Sequence, residues 1–306
     1  MSGAPVQTDT ALLFRSVRAA KGWLRGDAGR GGTLSVAGCV PMKPGGDAEP
    51  PLFMIPGATG SILQLAPIAA AMPGTGRVYA LKPRGMAEGE LPFERLDGMA
   101  EYAIGLVRAA RPQGPYYLVG YSAGGLVALE MARRLAAQGH EVPLVVLLDT
   151  YPSRETWPLS CHAEILMRQA FRAVWALCRC APREFAAEMS RRVRSLFWYL
   201  SLSGVRLTEP LPLVAEGCDA ASRRVHVATY NAGEAYRPRP YAGKVVFLQP
   251  EYVPNLEPRA PHKVWGRFLA DLTIRRVPGS HLGLVDEGAA ATAAEIGRSL
   301  DAVRGQ

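Results

Sequence analysis

Five residues from Gly120 to Gly124, "GYSAG", form a G-x-S-x-G pattern with a serine at its centre. The run before them, "YYLV" (116–119), is short and apolar. The run after them, from Ala123 to Gln138, repeats apolar residues at helical spacing. A strand, a sharp turn and a helix in that order make a nucleophile elbow, which lifts a serine hydroxyl beyond the end of a sheet. Such a turn crowds neighbouring backbone, so side chains two positions before and two after Ser122 would collide. Gly120 and Gly124 remove that collision. The helix N-terminus beneath offers free N–H groups and the positive end of a dipole where an oxyanion would form. A glycine-rich turn that merely carries a serine is the plainer alternative, and the flanking strand and helix argue against it.

A serine hydroxyl is a weak nucleophile. It needs a base, and the base needs an orienting acid. Of five histidines, His140 follows the helix-ending Gly139, His162 and His226 fall in a helical interval, and His262 starts an expected helix. His281 differs, because "IRRVPGSHLGLV" puts it in the loop after the last expected strand, at the sheet edge where the elbow opens. Two acids follow strands in the required chain order: Asp149 ends "LVVLL", and Glu251 comes after "VVFL". Both positions suit catalysis, since reactive groups collect at the carboxyl ends of parallel strands. For the oxyanion, the Ala123 N–H comes with the elbow, and Ala58 or Thr59 in "FMIPGATGS" can supply a second. That loop is not a phosphate loop, because no lysine follows at the G-x-x-x-x-G-K-[ST] spacing.

Short apolar runs that do not alternate read as strands buried on both faces. They are 52–55, 78–81, 116–119, 144–148, 245–248 and 274–277. Helical patterns lie between them at Ser61–Met72, Leu96–Ala110, Ala123–Gln138, His262–Ala270 and Ala289–Arg304. The alternation predicts an α/β fold with a mostly parallel central sheet flanked by helices. Glu130, Arg133, Arg134 and Gln138 fall on one side of the third helix and predict a solvent stripe. From Ser153 to Arg237 the rhythm breaks into helical stretches, so an insertion is expected there. It holds 12 arginines against 8 acids, which makes "RRVRSLFWYL" a candidate basic docking face or a solvated helix face.

The 306 residues, 48% hydrophobic, suffice for a sizeable core, and no apolar run is long enough to span a membrane. Arg15, Arg18 and Lys21 interrupt "ALLFRSVRAAKGWLRG", so an amphipathic helix or linker is expected rather than a signal peptide; a transit peptide is also basic and acid-poor. Residues 1–50 are accordingly expected to be an extension, with the catalytic domain at 51–306. Five scattered cysteines form no metal or disulfide framework, which suits a reducing cytoplasm. A net charge of +8 raises nucleic acid as a partner, but no basic block or nucleic-acid motif accompanies it. Steering of a partner with an acidic surface fits equally, and a bias toward arginine codons would explain the excess with no partner at all.

Several stretches taken together resemble the thioesterase domains of nonribosomal peptide and polyketide synthases: "LFMIPGATG", "VYALKPRGM", "GPYYLVGYSAGGLVALEMARRLAAQGHEVPLVVLLDTYP" and "VPGSHLGLV". The resemblance runs from about Leu52 to the C-terminus and is weakest in the insertion. It implies an α/β-hydrolase fold with a helical lid at about 153–237. It implies Ser122 as nucleophile, Asp149 as acid and His281 as base, with Ala58 and Ala123 as oxyanion donors. Glu251 becomes a reserve acid. No cofactor or metal is implied. The implied substrate is an acyl or peptidyl chain on the phosphopantetheine of a carrier protein, which is the expected partner, released by hydrolysis or cyclisation. Carriers tend to be acidic, which would suit the arginine-rich lid. A carboxylesterase or lipase with the same triad, and a catalytically silent carrier-binding module, are the alternatives. A free-standing enzyme and an excised synthase domain both fit.

Overall fold

A computed structural model describes residues 38–46, 49–74, 76–179, 189–190, 207, 218–253 and 257–305. The short apolar runs become strands: β2 (Leu52–Ile55), β3 (Val78–Leu81), β4 (Tyr117–Tyr121), β5 (Leu144–Leu148), β6 (Tyr241–Pro250) and β7 (Leu269–Val277). Every residue of β2 to β5 is buried, as expected of strands covered on both faces. They join one seven-stranded sheet in the order β1-β3-β2-β4-β5-β6-β7. All pairings are parallel except that of β1 (Cys39–Lys43) with β3. β1 was not expected. Its run, CVPMK, is half-polar and contains a proline, a composition an edge strand tolerates.

Strand order reverses beside β2: β3 pairs on one side of it and β4 on the other. In open α/β sheets, ligands bind outside the carboxyl ends of the strands at such a switch point. The loop after β2, the elbow after β4 and the turn after β5 all emerge there.

Helices α2 (Leu96–Ala110) and α3 (Ala123–Ala137) pack on one face around Phe53, Leu118, Val145 and Phe247. Helices α1 (Ala66–Ala71) and α7 (Ala289–Arg304) cover the other around Met54, Val119, Val146 and Leu248. Two helical expectations need correction. The single helix over 61–72 is a 3-10 turn, Ile62–Leu65, followed by α1, because Pro67 takes a first-turn position where its missing N–H costs no bond. The helix over 262–270 is only α6 (Pro261–Trp265). Gly266 caps it onto the His262 carbonyl at 2.8 Å, and Leu269 and Ala270 already belong to β7.

The interval 153–237 contains α4 (Leu159–Arg179) and α5 (Ala220–Ala235) among the described residues. Asp219 caps α5 by accepting the Ser222 N–H at 2.7 Å. On α4, Cys161 and Ile165 reach the core while Met167, Phe171 and Trp175 are exposed. The expected basic stretch with Arg191, Arg192 and Arg194 lies outside the described residues.

The supposed solvent stripe of α3 is covered at one end. Glu130 is 1% exposed and accepts from Arg133 at 2.6 Å, Arg134 at 2.8 Å and the Tyr236 hydroxyl at 3.1 Å. Burial alone would raise its carboxyl; the arginine bonds outweigh it and hold the group below the usual carboxylate range. Helical spacing identifies a polar face but does not say whether the following segment folds over it. Cys39, Cys161, Cys178 and Cys218 are free. Among the described residues no helix is long and apolar enough to cross a membrane.

Candidate active site

Two residues with a side chain have positive φ among those described: Ser122 at 53° and Asp149 at 45°. Both stand one residue past a strand. Non-glycine residues avoid this region because Cβ crowds the backbone, and such strain gathers at functional sites. The strain at Ser122 is maintained by packing. A Cβ on Gly120 would lie 2.4 Å from the Gly125 Cα, and one on Gly124 would lie 2.2 Å from the Pro56 carbonyl oxygen. Helix α3 therefore enters directly against the ends of β2 and β4, and the elbow has no room to relax.

Sequence reasoning missed two parts of this brace. A Cβ on Gly125 would meet the Thr150 Oγ1 at 2.0 Å. The Thr150 hydroxyl donates to the Ser122 carbonyl at 3.0 Å and sits 3.3 Å from that of Leu148. The Trp265 indole N–H in turn donates to the Thr150 carbonyl at 2.9 Å. The threonine of "LLDTYP" directly follows Asp149 and was the available signal, but nothing in its spacing pairs it with a glycine 25 positions upstream.

His281 Nδ1 lies 2.7 Å from Asp149 Oδ2, across 132 residues of chain. The Asp149 carboxylate is buried, and the His281 side chain is 31% exposed. The Tyr121 ring stacks on the imidazole at 5.0 Å between centroids, and its hydroxyl donates to the His281 carbonyl at 3.1 Å. The residue preceding Ser122 thus fixes the histidine loop. Burial pushes the Tyr121 phenol upward, with Asp149 and Glu257 adding to it, so it remains a neutral donor. Burial would depress His281, but the hydrogen bond and charge of Asp149, with Glu257 behind them, raise it above its ordinary value. Among the described residues the hydrogen bond of the imidazole runs to Asp149.

Glu251, the reserve acid, is exposed. Its N–H donates to the Val277 carbonyl at 2.9 Å, and its side chain lines a polar depression beside Arg259 and Arg276. The carboxylate bonded to the imidazole is that of Asp149 instead. Ala123 begins α3, so its N–H has no acceptor within the helix. Ala58 lies in a turn closed by the Gly60 N–H on the Gly57 carbonyl at 2.9 Å. Beside that loop runs a narrow apolar cleft lined by Phe93, Tyr102, Val127 and Val225. Gly57 and Gly124 form its wall toward the elbow, and neither Ser122 nor His281 lines it.

Residues 50–191 match the family model described as Thioesterase domain. The nonribosomal peptide synthetase atqA of Aspergillus terreus is 41% identical over 142 residues, 45% of this chain and 13% of that protein. The dimodular nonribosomal peptide synthase of Bacillus subtilis is 39% identical over 114 residues, 37% of this chain and 5% of that protein. The matches thus span only a small part of these curated relatives. Among solved structures, the NocB thioesterase domain in covalent complex with a fluorophosphonate nocardicin G analog is 27% identical, covers 82% of this chain and 95% of its own, and has a TM-score of 0.56. YbtT, a type II thioesterase from the yersiniabactin pathway, is 18% identical over 87% of this chain and 99% of its own at a TM-score of 0.59, which speaks for the fold alone. The chain resembles the thioesterase domains of nonribosomal peptide synthetases, and its fold is the α/β-hydrolase fold of that group.

Proposed function

With a thioesterase domain at 50–191 as the premise, we propose that this chain is a serine thioesterase. It frees an acyl or peptidyl chain from the phosphopantetheine of a carrier protein through an acyl-serine intermediate. The observation that supports this most is the edge shared by three candidates: two strained residues, Ser122 and Asp149, and a histidine held 2.7 Å from the second.

His281 Nε2 takes the proton as the Ser122 oxygen attacks the thioester carbonyl. Asp149, bonded to Nδ1–H, keeps the imidazole in the tautomer that leaves Nε2 free and stabilises the imidazolium. The N–H groups of Ala58 and Ala123 receive the oxyanion, each worth about 3 kcal/mol. The carbon–sulfur bond breaks, the imidazolium protonates the departing thiolate, and an acyl-serine remains. Water or a hydroxyl or amine of the chain itself then attacks with His281 again as base, and Ser122 is regenerated. A carrier protein is the natural partner, because the matched relatives are synthetases.

The test compares acyl-pantetheine or acyl-carrier thioesters with simple esters of the same acyl group. Faster turnover of the thioesters is expected, and Ser122→Ala should cost about 10⁶ in rate. Preference for the simple ester would favour a carboxylesterase. Thioester turnover surviving in the variant would overturn the assignment.

A further inference from the structure

The polar depression at Glu251 is a second concave site at the carboxyl ends of β6 and β7. It has a volume of about 340 Å³, at the low end of the range for small-molecule sites. Three arginines from three elements line it: Arg172 of α4, Arg259 of the turn before α6 and Arg276 of β7. Among the described lining residues Glu251 is the one carboxylate, so cations outnumber anions three to one. Pro250, Tyr252 and Val253 add apolar surface. Guanidinium groups suit phosphate oxygens, which they meet with two parallel N–H bonds.

Hydrogen bonds hold these elements together. Gln249 is buried in the wall, and its amide donates to the Arg259 carbonyl at 3.1 Å, which fixes the turn that carries that guanidinium. Arg168, one turn before Arg172 on α4, donates to the Glu257 carbonyl at 2.7 Å and ties the helix to the same turn. The Tyr252 N–H donates to the carbonyl of Gly279, two residues before His281, at 3.0 Å. One wall of the depression is therefore bonded to the histidine loop. Strand register sets its distance from the serine. Tyr121 pairs with Leu148, Leu148 with Leu248, and Leu248 with Arg275. The next residues on these strands are Ser122, Asp149, Gln249 and Arg276. Ser122 and Arg276 thus stand three strand spacings apart along one edge of the sheet, roughly 14 Å.

We propose that this depression binds the phosphate end of the pantetheine arm whose thioester Ser122 attacks, with Arg172, Arg259 and Arg276 as its binding residues. This subsite rests on the thioesterase reading given above. An extended pantetheine arm is about as long as four to five residues of extended chain, roughly 15 Å. That matches the separation along the sheet edge, so the phosphate meets the arginines while the thioester carbonyl stands at the elbow. The dimethyl-substituted carbon beside the phosphate suits the apolar surface of Pro250, Tyr252 and Val253. The same phosphate-bearing arm occurs on a carrier protein and on coenzyme A. Contacts this far from the reacting carbonyl hold ground state and transition state alike, so they act on KM and leave kcat in place.

The experiment measures kcat and KM of the full chain at low salt on an acyl-pantetheine and on the acyl-phosphopantetheine of the same acyl group. Arg259→Gln and Arg276→Gln are compared with wild type singly and together. In wild type the phosphate should lower KM about ten-fold with kcat nearly kept, because exposed ion pairs contribute little singly and three act together. Each single variant should raise KM for the phosphorylated substrate about three-fold, and the double variant should bring it close to that of the acyl-pantetheine. KM for the acyl-pantetheine should stay within about two-fold throughout. Added salt should narrow the wild-type difference. Acyl-carrier and acyl-coenzyme A, run on the same variants, identify the source of the arm, since KM rises for the one whose phosphate is held. Equal KM for the two pantetheine substrates in wild type overturns the proposal. So does an equal change on both in the variants, which marks the arginines as structural. Calorimetry of phosphopantetheine and of pantetheine with Ser122→Ala separates the two readings, since it needs no turnover. If that variant still hydrolyses thioesters, the serine reading falls, and tighter binding of phosphopantetheine that the arginine substitutions abolish still supports the subsite. If it is inactive and the two ligands bind alike, the subsite alone is lost.

Discussion

The ends of β5 and β6 lie side by side, with Leu148 opposite Leu248, and an acid follows each. Only one of those acids meets the imidazole. β5 stops after Leu148, and Asp149 turns the chain at a φ of 45° while its N–H still reaches the Leu248 carbonyl at 3.0 Å. β6 continues for two more residues, pairing Gln249 with Arg276 and Pro250 with Val277. That extension carries Glu251 past the edge, where it is exposed, and the Gln249 amide is taken up by the Arg259 carbonyl at 3.1 Å. On the proposed assignment the acid that meets the imidazole is thus set by where its strand ends, and strand ends are the part of a sheet that apolar patterning leaves least defined.

The sharpest way to break this comparison is to neutralise each acid in turn. Asp149→Asn should lower kcat by about 10⁴, because an amide favours the wrong imidazole tautomer. The carboxylate also raises His281, so the acid limb of kcat/KM, where the imidazole must be neutral, should lie above the usual histidine range in wild type and fall in the variant. Smaller in rate but large in stability is Gly125→Ala. Its methyl group would meet the Thr150 hydroxyl and should cost about 3 kcal/mol, read as a shift in denaturant midpoint. Smallest is Glu251→Gln, which should leave kcat/KM within about two-fold, the size of an ordinary surface change. A loss comparable to that of the Asp149 variant would reverse the assignment of the two strand ends.

The parts of the candidate site legible in sequence were those where one residue type is required by local geometry. Gly120 and Gly124 were readable because an elbow leaves no room for Cβ. His281 was readable because it follows the last strand. The choice between Asp149 and Glu251 was not open to pattern alone, since both follow apolar runs and the length of β6 past Leu248 is set by its pairing with β7. Thr150 and Tyr121 were also hidden. Their roles depend on contacts with Gly125 and with the histidine loop. The burial of Glu130 was hidden for the same reason, since Tyr236, just past α5, covers a face that looks like solvent in its own helix.

The arrangement rests on Ser122 being the atom-bearing nucleophile. Incubating the chain with an acyl-carrier thioester, quenching in acid and mapping peptides by mass spectrometry reads this directly. An acyl adduct on the peptide containing Ser122, weaker in His281→Ala and absent in Ser122→Ala, is the expected result. An adduct on another residue, or continued product release with no adduct dependent on Ser122, would contradict it.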